Sequence, residues 1–434
     1  MRRRLSVVTV GCKANFADSA GILSQASRAG FSVVPPGAPA DVLVVNSCTV
    51  THRADRDSRA VARRLRRENP GAVIVLTGCY AETSPTARES VPEVDHWVGI
   101  RDPSTLAQLL FSLRGVVPPE GDGNDLAEYA ADRLLGHSRT FLKIQDGCDA
   151  SCAYCIVPKA RGPGRSLPAR EVIDRAVRAE SEGARELVLT GIHVGRYGCD
   201  RGERDGPAEL LGALLSSTAA CRFRLGSVEP LEVTPRLVGL LASERRVCPH
   251  LHVPLQSGSD RVLRRMRRPY TAGQFRDVLT LLGDAVPGIR LGADVIAGFP
   301  GETEDDFGET VRVVRDAPLG YLHAFPYSPR AGTESAGWPD DVPAAGKKSR
   351  VARLREMDTE MRGGFLASQV GRTLTVIAEE HDPSGGGFRG TSENYAEVAF
   401  RAADARVGEL CPVRILSAAG DRLKGRAEGA SARS

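Results

Sequence analysis

At 434 residues the chain has room for roughly three domains and for a sizeable core that needs no disulfide staples. Ten cysteines are too few for a disulfide scaffold in so long a chain and read better as metal ligands in a reducing compartment. The net charge of +4 is mild and permits an RNA partner without demanding one. No stretch approaches the length of a membrane span, and the apolar run after Met1-Arg2-Arg3-Arg4 is too short for a signal-peptide core, so a cytoplasmic protein with no membrane attachment is expected.

The first hundred residues repeat one pattern. Leu5 to Val10 is an apolar, β-branched run that ends in Gly11-Cys12, and a helical stretch, Asn15 to Ala29, follows it. Asp41 to Val45 is a second run, ending in Asn46-Ser47-Cys48, before a helix over about Ala54 to Glu68 that Asn69-Pro70-Gly71 terminates. Ala72 to Leu76 is a third, ending in Thr77-Gly78-Cys79. Strands alternating with helices imply a parallel α/β sheet, and ligands of such sheets bind beyond the carboxyl ends of the strands. Cys12, Cys48 and Cys79 all fall at that edge, one βα unit apart, so the pattern predicts a three-cysteine iron–sulfur site. Any one of them alone reads as a buried small hydrophobe; the equivalence of all three positions carries the prediction.

Gly115 to Gly136 holds Pro118, Pro119, Gly121 and Gly123 among acidic residues and reads as a linker. Next comes Cys148-Asp149-Ala150-Ser151-Cys152-Ala153-Tyr154-Cys155. Three thiols in eight residues can bind three irons of a 4Fe-4S cube, whose usual complement is four thiolates, and so leave one iron open for chemistry. A structural zinc site wants four ligands in paired groups, and the chain has no second Cys-x-x-Cys.

From Thr140 onward short apolar runs alternate with helical segments again. Candidate strands are Phe141–Ile144, Leu187–Leu189, Arg222–Leu225, His250–Val253, Leu291–Ile296 and Leu322–Phe325. Six βα units suggest a partial TIM-like barrel with its chemistry at the carboxyl ends of the strands. Gly191, Glu229, Gln256 and Gly298 fall at such ends. Against a ligand role stand an arginine-paired loop carboxylate for Glu229 and an ordinary turn glycine for Gly191. Thr303 to Asp306 read as a helix cap. His193, His252 and His323 also lie near strand ends; a three-histidine zinc site lacks any thiol or carboxylate pairing, and packing roles are expected. Arg161 reads as a ligand-steering or a surface arginine. Two arginine-rich segments, around Arg53 to Arg67 and Arg261 to Arg268, offer phosphate tracks or solvated helix faces. Cys199, Cys221, Cys248 and Cys411 have no partner spacing and read as bystanders.

After about Gly371 the chain changes to short strands, Thr373–Ala378, Glu397–Arg401 and Pro412–Leu416, with glycine-rich turns. Tyr395 and Phe388 offer stacking surfaces for a base, although core packing is their commoner fate. Gly371 to Gly425 carries seven basic and eight acidic residues, which argues against RNA binding there by bulk charge.

The C-x3-C-x2-C spacing resembles the signature of radical S-adenosylmethionine (SAM) enzymes, in which the open iron chelates SAM and electron transfer cleaves it to methionine and a 5′-deoxyadenosyl radical. With the N-terminal trio it resembles, from about Val7 to about Gly425, the radical SAM methylthiotransferases. The motifs are dense: Gly11-Cys12-Lys13-Ala14-Asn15, Asn46-Ser47-Cys48-Thr49-Val50-Thr51, Thr77-Gly78-Cys79-Tyr80-Ala81, Lys143-Ile144-Gln145-Asp146-Gly147-Cys148, Ala160-Arg161-Gly162-Pro163, Ser227-Val228-Glu229-Pro230, His252-Val253-Pro254-Leu255-Gln256-Ser257-Gly258 and Gly298-Phe299-Pro300-Gly301-Glu302-Thr303. One branch of that family modifies isopentenyladenosine in tRNA, another an aspartate of a small-subunit ribosomal protein, and a third N6-threonylcarbamoyladenosine just 3′ of the tRNA anticodon. The Gly-Cys-Lys-x-Asn and Cys-Thr-Val-Thr forms are most similar to the third; Ser47 and Gly226 depart slightly from the common pattern.

The resemblance implies an α/β fold in three parts: an N-terminal parallel α/β domain over 1–114, a central partial (βα)6 radical SAM barrel over 137–368 after the linker 115–136, and a small TRAM-like β-barrel over 369–430. It implies two 4Fe-4S clusters and SAM as cofactors. Cys148, Cys152 and Cys155 would hold the SAM-cleaving cluster, and Cys12, Cys48 and Cys79 an auxiliary cluster that carries the sulfur to be donated. Gly191, Glu229, Gln256 and Gly298 would contact SAM. The partners implied are tRNA and an electron donor protein. Hydrogen abstraction from adenine C2 needs no side-chain acid or base, so no catalytic side chain is expected. Two rivals remain: a methylthiotransferase acting on a ribosomal protein aspartate, which would share every cysteine, and an RNA-binding iron–sulfur or zinc protein without catalysis.

Overall fold

The computed structural model describes residues 3–117, 128–382, 386–402 and 405–428. The chain divides into two compact units: Met1–Gly183 with Leu189–His193 and Arg330–Ala336, and Ala184–Val188 with Val194–Pro329 and Gly337–Ser434.

The first unit is built on β1 (Arg4–Thr9), α1 (Lys13–Arg28), β2 (Ser32–Val33), β3 (Val42–Ser47), α2 (His52–Glu68), β4 (Val73–Gly78), α3 (Cys79–Thr83), β5 (His96–Trp97) and α4 (Pro103–Arg114). All five strands pair in parallel, in the order β2-β1-β3-β4-β5. β3 is buried along its whole length, which is why it reads as a continuous apolar run and not as an alternation. Leu5, Val7, Val42 and Val44 pack under α1 and α4, whereas Leu43, Val45, Ile74 and Leu76 pack against the α2 side. The strand order reverses between β1 and β3, so the crevice between their carboxyl ends is the expected ligand position.

Pro118, Pro119, Gly121 and Gly123 of the expected linker lie outside the described residues. The part that is described is folded: α5 (Glu128–Leu134) packs on α1, with Ala131 and Asp132 fully buried. The Asp132 carboxylate accepts from Phe141 N at 3.0 Å. The unit continues through β6 (Thr140–Lys143), β7 (Gln145–Asp146), α6 (Val157–Arg161), β8 (Arg165–Ser166) and α7 (Ala169–Ser181). The strand β9 (Glu186–Thr190) contributes residues to each unit, and in the first Ile144 N donates to Thr190 O at 2.9 Å.

The second unit continues with α8 (Gly206–Ser217), β10 (Arg222–Leu225), α9 (Pro235–Ser243), β11 (His250–His252), α10 (Asp260–Arg265), α11 (Ala272–Ala285), β12 (Arg290–Ala297), α12 (Glu304–Asp316), β13 (Tyr321–Pro326) and α13 (Ala344–Ser368). β10 lies beside β9, and β11, β12 and β13 form a parallel sheet that parallel bridges at Phe223–Val247 and Ser227–His252 join to the β10 segment. Within this unit, parallel strands alternate with helices as the strand pattern suggested. Thr303 and Asp306 form a reciprocal cap on α12, as read.

A closed five-stranded barrel follows in the same unit: β14 (Thr373–Asp382), β15 (Gly387–Ser392), β16 (Glu397–Arg401), β17 (Leu410–Ala419) and β18 (Arg422–Ala427), in the order β14-β15-β16-β18-β17. β15 and β18 are absent from the expected strands because neither has an apolar run. Their glycines mark tight closure instead: a Cβ on Gly390 would meet Ile377 O at 1.9 Å, and one on Gly425 would meet Val413 Cγ1 at 2.5 Å. Phe388 is core, stacked on Phe400, and Tyr395 packs on His250 and under the Arg224 guanidinium, so neither offers a free stacking face. No helix among the described residues is long and apolar enough to cross a membrane.

Candidate metal centre

The carboxyl ends of β1, β3 and β4 deliver Cys12, Cys48 and Cys79 to one edge of the first unit's sheet. Glycines make the approach close. Gly11 has φ +123°, and a Cβ on it would sit 2.7 Å from Cys48 Cβ; Gly78 has φ +96°, and its Cβ would fall 2.3 Å from Ser47 O. Asn15, fully buried at the start of α1, ties the loops together by donating to Val10 O at 2.8 Å and Ser47 O at 3.0 Å. Cys12 is exposed, whereas Cys48 and Cys79 are buried. Burial raises the Cys48 thiol and Cys12 raises it further. Burial pushes Cys79 up to about 12, with Cys48 and Cys12 adding to it and Arg161 opposing. Each buried thiol thus resists ionisation partly because the other sulfurs are near. A bound metal centre, which ionises its thiol ligands outright, is the species that suits such a set.

Cys148, Cys152 and Cys155 lie in the loop between β7 and α6 of the same unit, all partly exposed. Cys148 Sγ accepts from Ala150 N at 3.4 Å and lies 3.4 Å from His193 Nδ1. Cys155 N donates to Cys152 O at 3.1 Å, which closes the loop. Gln145, nearly fully buried, accepts on Oε1 from Ile192 N at 3.1 Å and His193 N at 2.8 Å. A Cβ on Gly191 would meet Gln145 O at 2.8 Å, so that turn is glycine for close backbone approach. Three partly exposed thiols on one loop, with no fourth cysteine in it, fit a cluster that keeps one iron open.

Arg161 joins the two groups. It is 1% exposed and so is not a surface arginine. Its guanidinium donates to Asp146 Oδ1 at 3.0 Å, Asn15 Oδ1 at 2.8 Å and Asp18 Oδ2 at 2.8 Å, and its charge opposes the rise of the Cys79 thiol. Lys143 donates to Asp18 at 2.6 Å and Asp146 at 2.5 Å, completing a partly buried two-cation, two-anion set around the buried Arg161. Burial works against the Asp146 carboxylate, but Lys143 and Arg161 outweigh it and hold the carboxyl at about 2. A cleft of about 840 Å³ opens beside this set, lined among others by Asp18, Lys143, Asp146 and Arg165. Across the N-terminal sheet, Arg330 donates to Thr49 Oγ1 and Asp55 Oδ2, both at 2.7 Å, which braces the turn after Cys48.

The second unit carries the other expected cofactor contacts, each at a strand end. Glu229 follows β10, where Arg268 donates to its carboxylate, the arginine-paired arrangement weighed against a ligand role. Gln256 follows β11 with φ +65°, a left-handed conformation uncommon for a residue with a side chain, and bridges to Val295 of β12. Gly298 follows β12 with φ +73°; its N–H donates to the buried Glu302 carboxylate at 2.5 Å, and a Cβ there would meet Lys347 Cγ at 2.4 Å.

The three-histidine grouping does not form. His193 follows β9 and meets Cys148 in the first unit, while His252 and His323 flank Asp294 in the second. That carboxylate was not singled out because it sits inside an apolar strand. The arginine-rich segments are largely spent on structure: Arg59 donates to Tyr80 OH, Arg63 to Ser90 O, Arg66 to Asp95, and Arg261 to Asp306.

Two family models match the chain. Residues 4–99 match the model of "Uncharacterized protein family UPF0004", and residues 142–314 match that of the radical SAM superfamily. Threonylcarbamoyladenosine tRNA methylthiotransferase MtaB of Bacillus subtilis is 37% identical, covering 94% of this chain and 93% of its own. The tRNA-2-methylthio-N(6)-dimethylallyladenosine synthase of Acidothermus cellulolyticus is 33% identical over 96% of this chain and 86% of its own. In fold, the radical SAM methyltransferase TsrM of Kitasatospora setae is similar with a TM-score of 0.55 at 13% identity, covering 75% of each chain. Fold and cysteine loop define a radical SAM enzyme, with the 4Fe-4S cluster and SAM that this superfamily uses. More narrowly, the chain belongs to the radical SAM methylthiotransferase family.

Proposed function

We propose that this protein methylthiolates C2 of N6-threonylcarbamoyladenosine just 3′ of the tRNA anticodon. The observation that carries the reading is the delivery of Cys12, Cys48 and Cys79 to one sheet edge, linked through Arg161 to the Cys148 loop. The substrate follows from the tRNA enzymes to which the chain is similar, several of them named for threonylcarbamoyladenosine. Those names favour a nucleoside over a ribosomal aspartate. We assign 1–114 to the sulfur-carrying domain, 137–368 to the SAM-cleaving domain and 369–430 to the small barrel, in a cytoplasmic enzyme served by an electron donor protein.

Cys148, Cys152 and Cys155 would hold one 4Fe-4S cluster, and Cys12, Cys48 and Cys79 a second. Bound together with SAM, these groups supply the radical chemistry and the sulfur. The chain's own part is to bind and align them. Gly191 lets the Gln145 backbone come close at the end of β9, and Gly298 leaves room for the Lys347 side chain at the end of β12. The strained Gln256 and the carboxylate of Glu229 would face SAM as hydrogen-bonding groups. Arg161 neutralises Asp18 and Asp146 and bonds Asn15 between the strand-end loops, so the two thiol groups share one charged support.

Two measurements test this. Anaerobic analysis of the reconstituted protein should find about eight irons per chain, with matching sulfide. Nucleoside mass spectrometry of tRNA from a strain lacking the gene should show the 2-methylthio nucleoside gone and N6-threonylcarbamoyladenosine accumulated. Unchanged tRNA from that strain would defeat the substrate assignment.

A further inference from the structure

One face of β11, β12 and β13 carries a polar chain that the function above does not use. His250 Nε2 and His252 Nδ1 both meet Tyr321 OH, at 2.9 and 3.0 Å. His252 Nε2 meets Asp294 Oδ2 at 3.1 Å, and Asp294 Oδ1 meets His323 Nδ1 at 3.2 Å. Register explains the line-up, because Asp294 pairs directly with His323 across the parallel strands. Exposure rises along the chain: His250 is 1% exposed and His252 7%, but the His323 side chain is 48% exposed. The buried members therefore serve to orient a ring whose far edge is open.

The chemistry of that edge follows from what lies behind it. Burial alone would raise the Asp294 carboxyl, but hydrogen bonds from His252 and His323 hold it below the usual carboxylate range, so it stands as an anion. A ring that donates Nδ1–H to a carboxylate turns Nε2 outward. The outward Nε2 edge is then placed to join an arriving carboxylate through one charge-assisted hydrogen bond. Along β13, Leu322 and Ala324 are buried, whereas Phe325 is 42% exposed beside His323, with ring centroids 6.3 Å apart. Phe325 is the nearer of the two to the carboxyl end of the strand, where barrel chemistry takes place. An exposed aromatic towards the chemical end, with a backed imidazole beneath it, suits a purine whose substituent ends in a carboxylate.

We propose that His323, oriented by Asp294, reads the carboxylate of the threonylcarbamoyl group on the substrate adenosine, with Phe325 against the base. This rests on the function proposed above and adds the residue that would separate a carboxylated adenosine from one with an apolar N6 substituent. His323 is a specificity residue in this assignment, and Asp294 and His252 are positioning residues.

The test uses the reconstituted holoenzyme and three anticodon stem-loops: one with N6-threonylcarbamoyladenosine, one with its methyl ester, one with unmodified adenosine. Wild type is expected to bind the acid about tenfold more tightly than the ester, the scale of one charge-assisted hydrogen bond. H323Q should lose that preference and H323K should keep part of it; iron content and circular dichroism verify that each variant is folded. Equal binding of acid and ester by wild type overturns the proposal, as does a preference that H323Q retains. A preference that disappears on chelator treatment would assign the reading to a metal among His252, Asp294 and His323, and also overturns it. Should wild type bind the acid but methylthiolate only other adenosines, the proposed function fails. Methylthiolation of the threonylcarbamoyl stem-loop with no acid preference defeats the carboxylate assignment alone.

Discussion

The two cysteine groups of the first unit are built in opposite ways. Cys148, Cys152 and Cys155 come from one loop, and all three are partly exposed. Cys12, Cys48 and Cys79 come from three strand ends, and two of them are buried deeply enough to resist ionisation. A contiguous loop needs only its own turn to bring ligands together. The distributed trio exists only once the sheet is folded, so its affinity for a metal centre is tied to the stability of β1, β3 and β4. Under the assignment proposed above, the contrast separates a site that would exchange a small molecule from one held by the fold.

The largest expected effect divides the groups by chemistry. Cys148→Ala should abolish reductive SAM cleavage and, with it, all product. Cys12→Ala should leave SAM cleavage in place while methylthiolated product disappears, and iron should fall from about eight to about four per chain. The two assays are 5′-deoxyadenosine release and nucleoside mass spectrometry. If Cys12→Ala protein still made product at the wild-type rate, the division of labour between the groups would collapse.

A second effect probes the support they share. Arg161→Met removes the buried cation that the partly buried Asp18 and Asp146 face, leaving their charge to Lys143 alone. Breaking a fully buried pair costs about 3–5 kcal/mol, and the partial solvent access of Asp18 and Asp146 puts this loss at or below the lower end. Denaturant titration of the iron-free protein should show that loss, with iron uptake by both groups impaired. A third, smaller effect touches the distributed trio only. Gly78→Ala forces a side chain into a left-handed backbone and against Ser47 O, at a cost of about 1–3 kcal/mol. The variant should lose iron from the Cys12 group before the Cys148 group; equal loss from both would remove the distinction.

What could be read in advance follows the same contrast. Spacing alone exposes the Cys148 loop, and the repeated run-then-cysteine pattern exposes the trio at β1, β3 and β4. Partners distant in sequence do not announce themselves. Asp18 and Arg161 are 143 positions apart, and nothing local marks either as the other's counter-ion. Asp294 hides within an apolar strand, where its charge is tolerated only because two histidines donate to it. β15 and β18 escape for another reason. Closing a five-stranded barrel demands glycine where backbones nearly touch, and glycine weakens the very signal by which strands are recognised. Pattern therefore finds elements that bury themselves by repetition, while tertiary demand sets the rest.

The smallest effect concerns a thiol outside both groups. Cys248 is fully buried in the second unit, and burial raises its thiol to about 11, against the pull of Arg224. It resists ionisation as Cys79 does, but the charges that act most on it are those of Arg224 and Glu186 rather than of other thiols. A folded-state value above the ordinary 9.0 means that the neutral thiol stabilises the fold fully below about pH 9. That contribution is lost as the pH climbs from about 9 towards about 11, because the unfolded chain ionises first. At pH 8 its thiolate fraction is roughly a hundredfold below that of an ordinary thiol, so alkylation should be slower by at least that factor. In iron-free protein the exposed Cys12 and Cys199 should label first and Cys248 only on unfolding. Reconstitution with iron should then protect Cys12 and leave Cys199 and Cys248 as they were, which isolates the metal's effect from that of burial. Rapid labelling of Cys248 in the folded chain would mean that burial alone does not silence a thiol here, and the raised Cys79 would need a different cause.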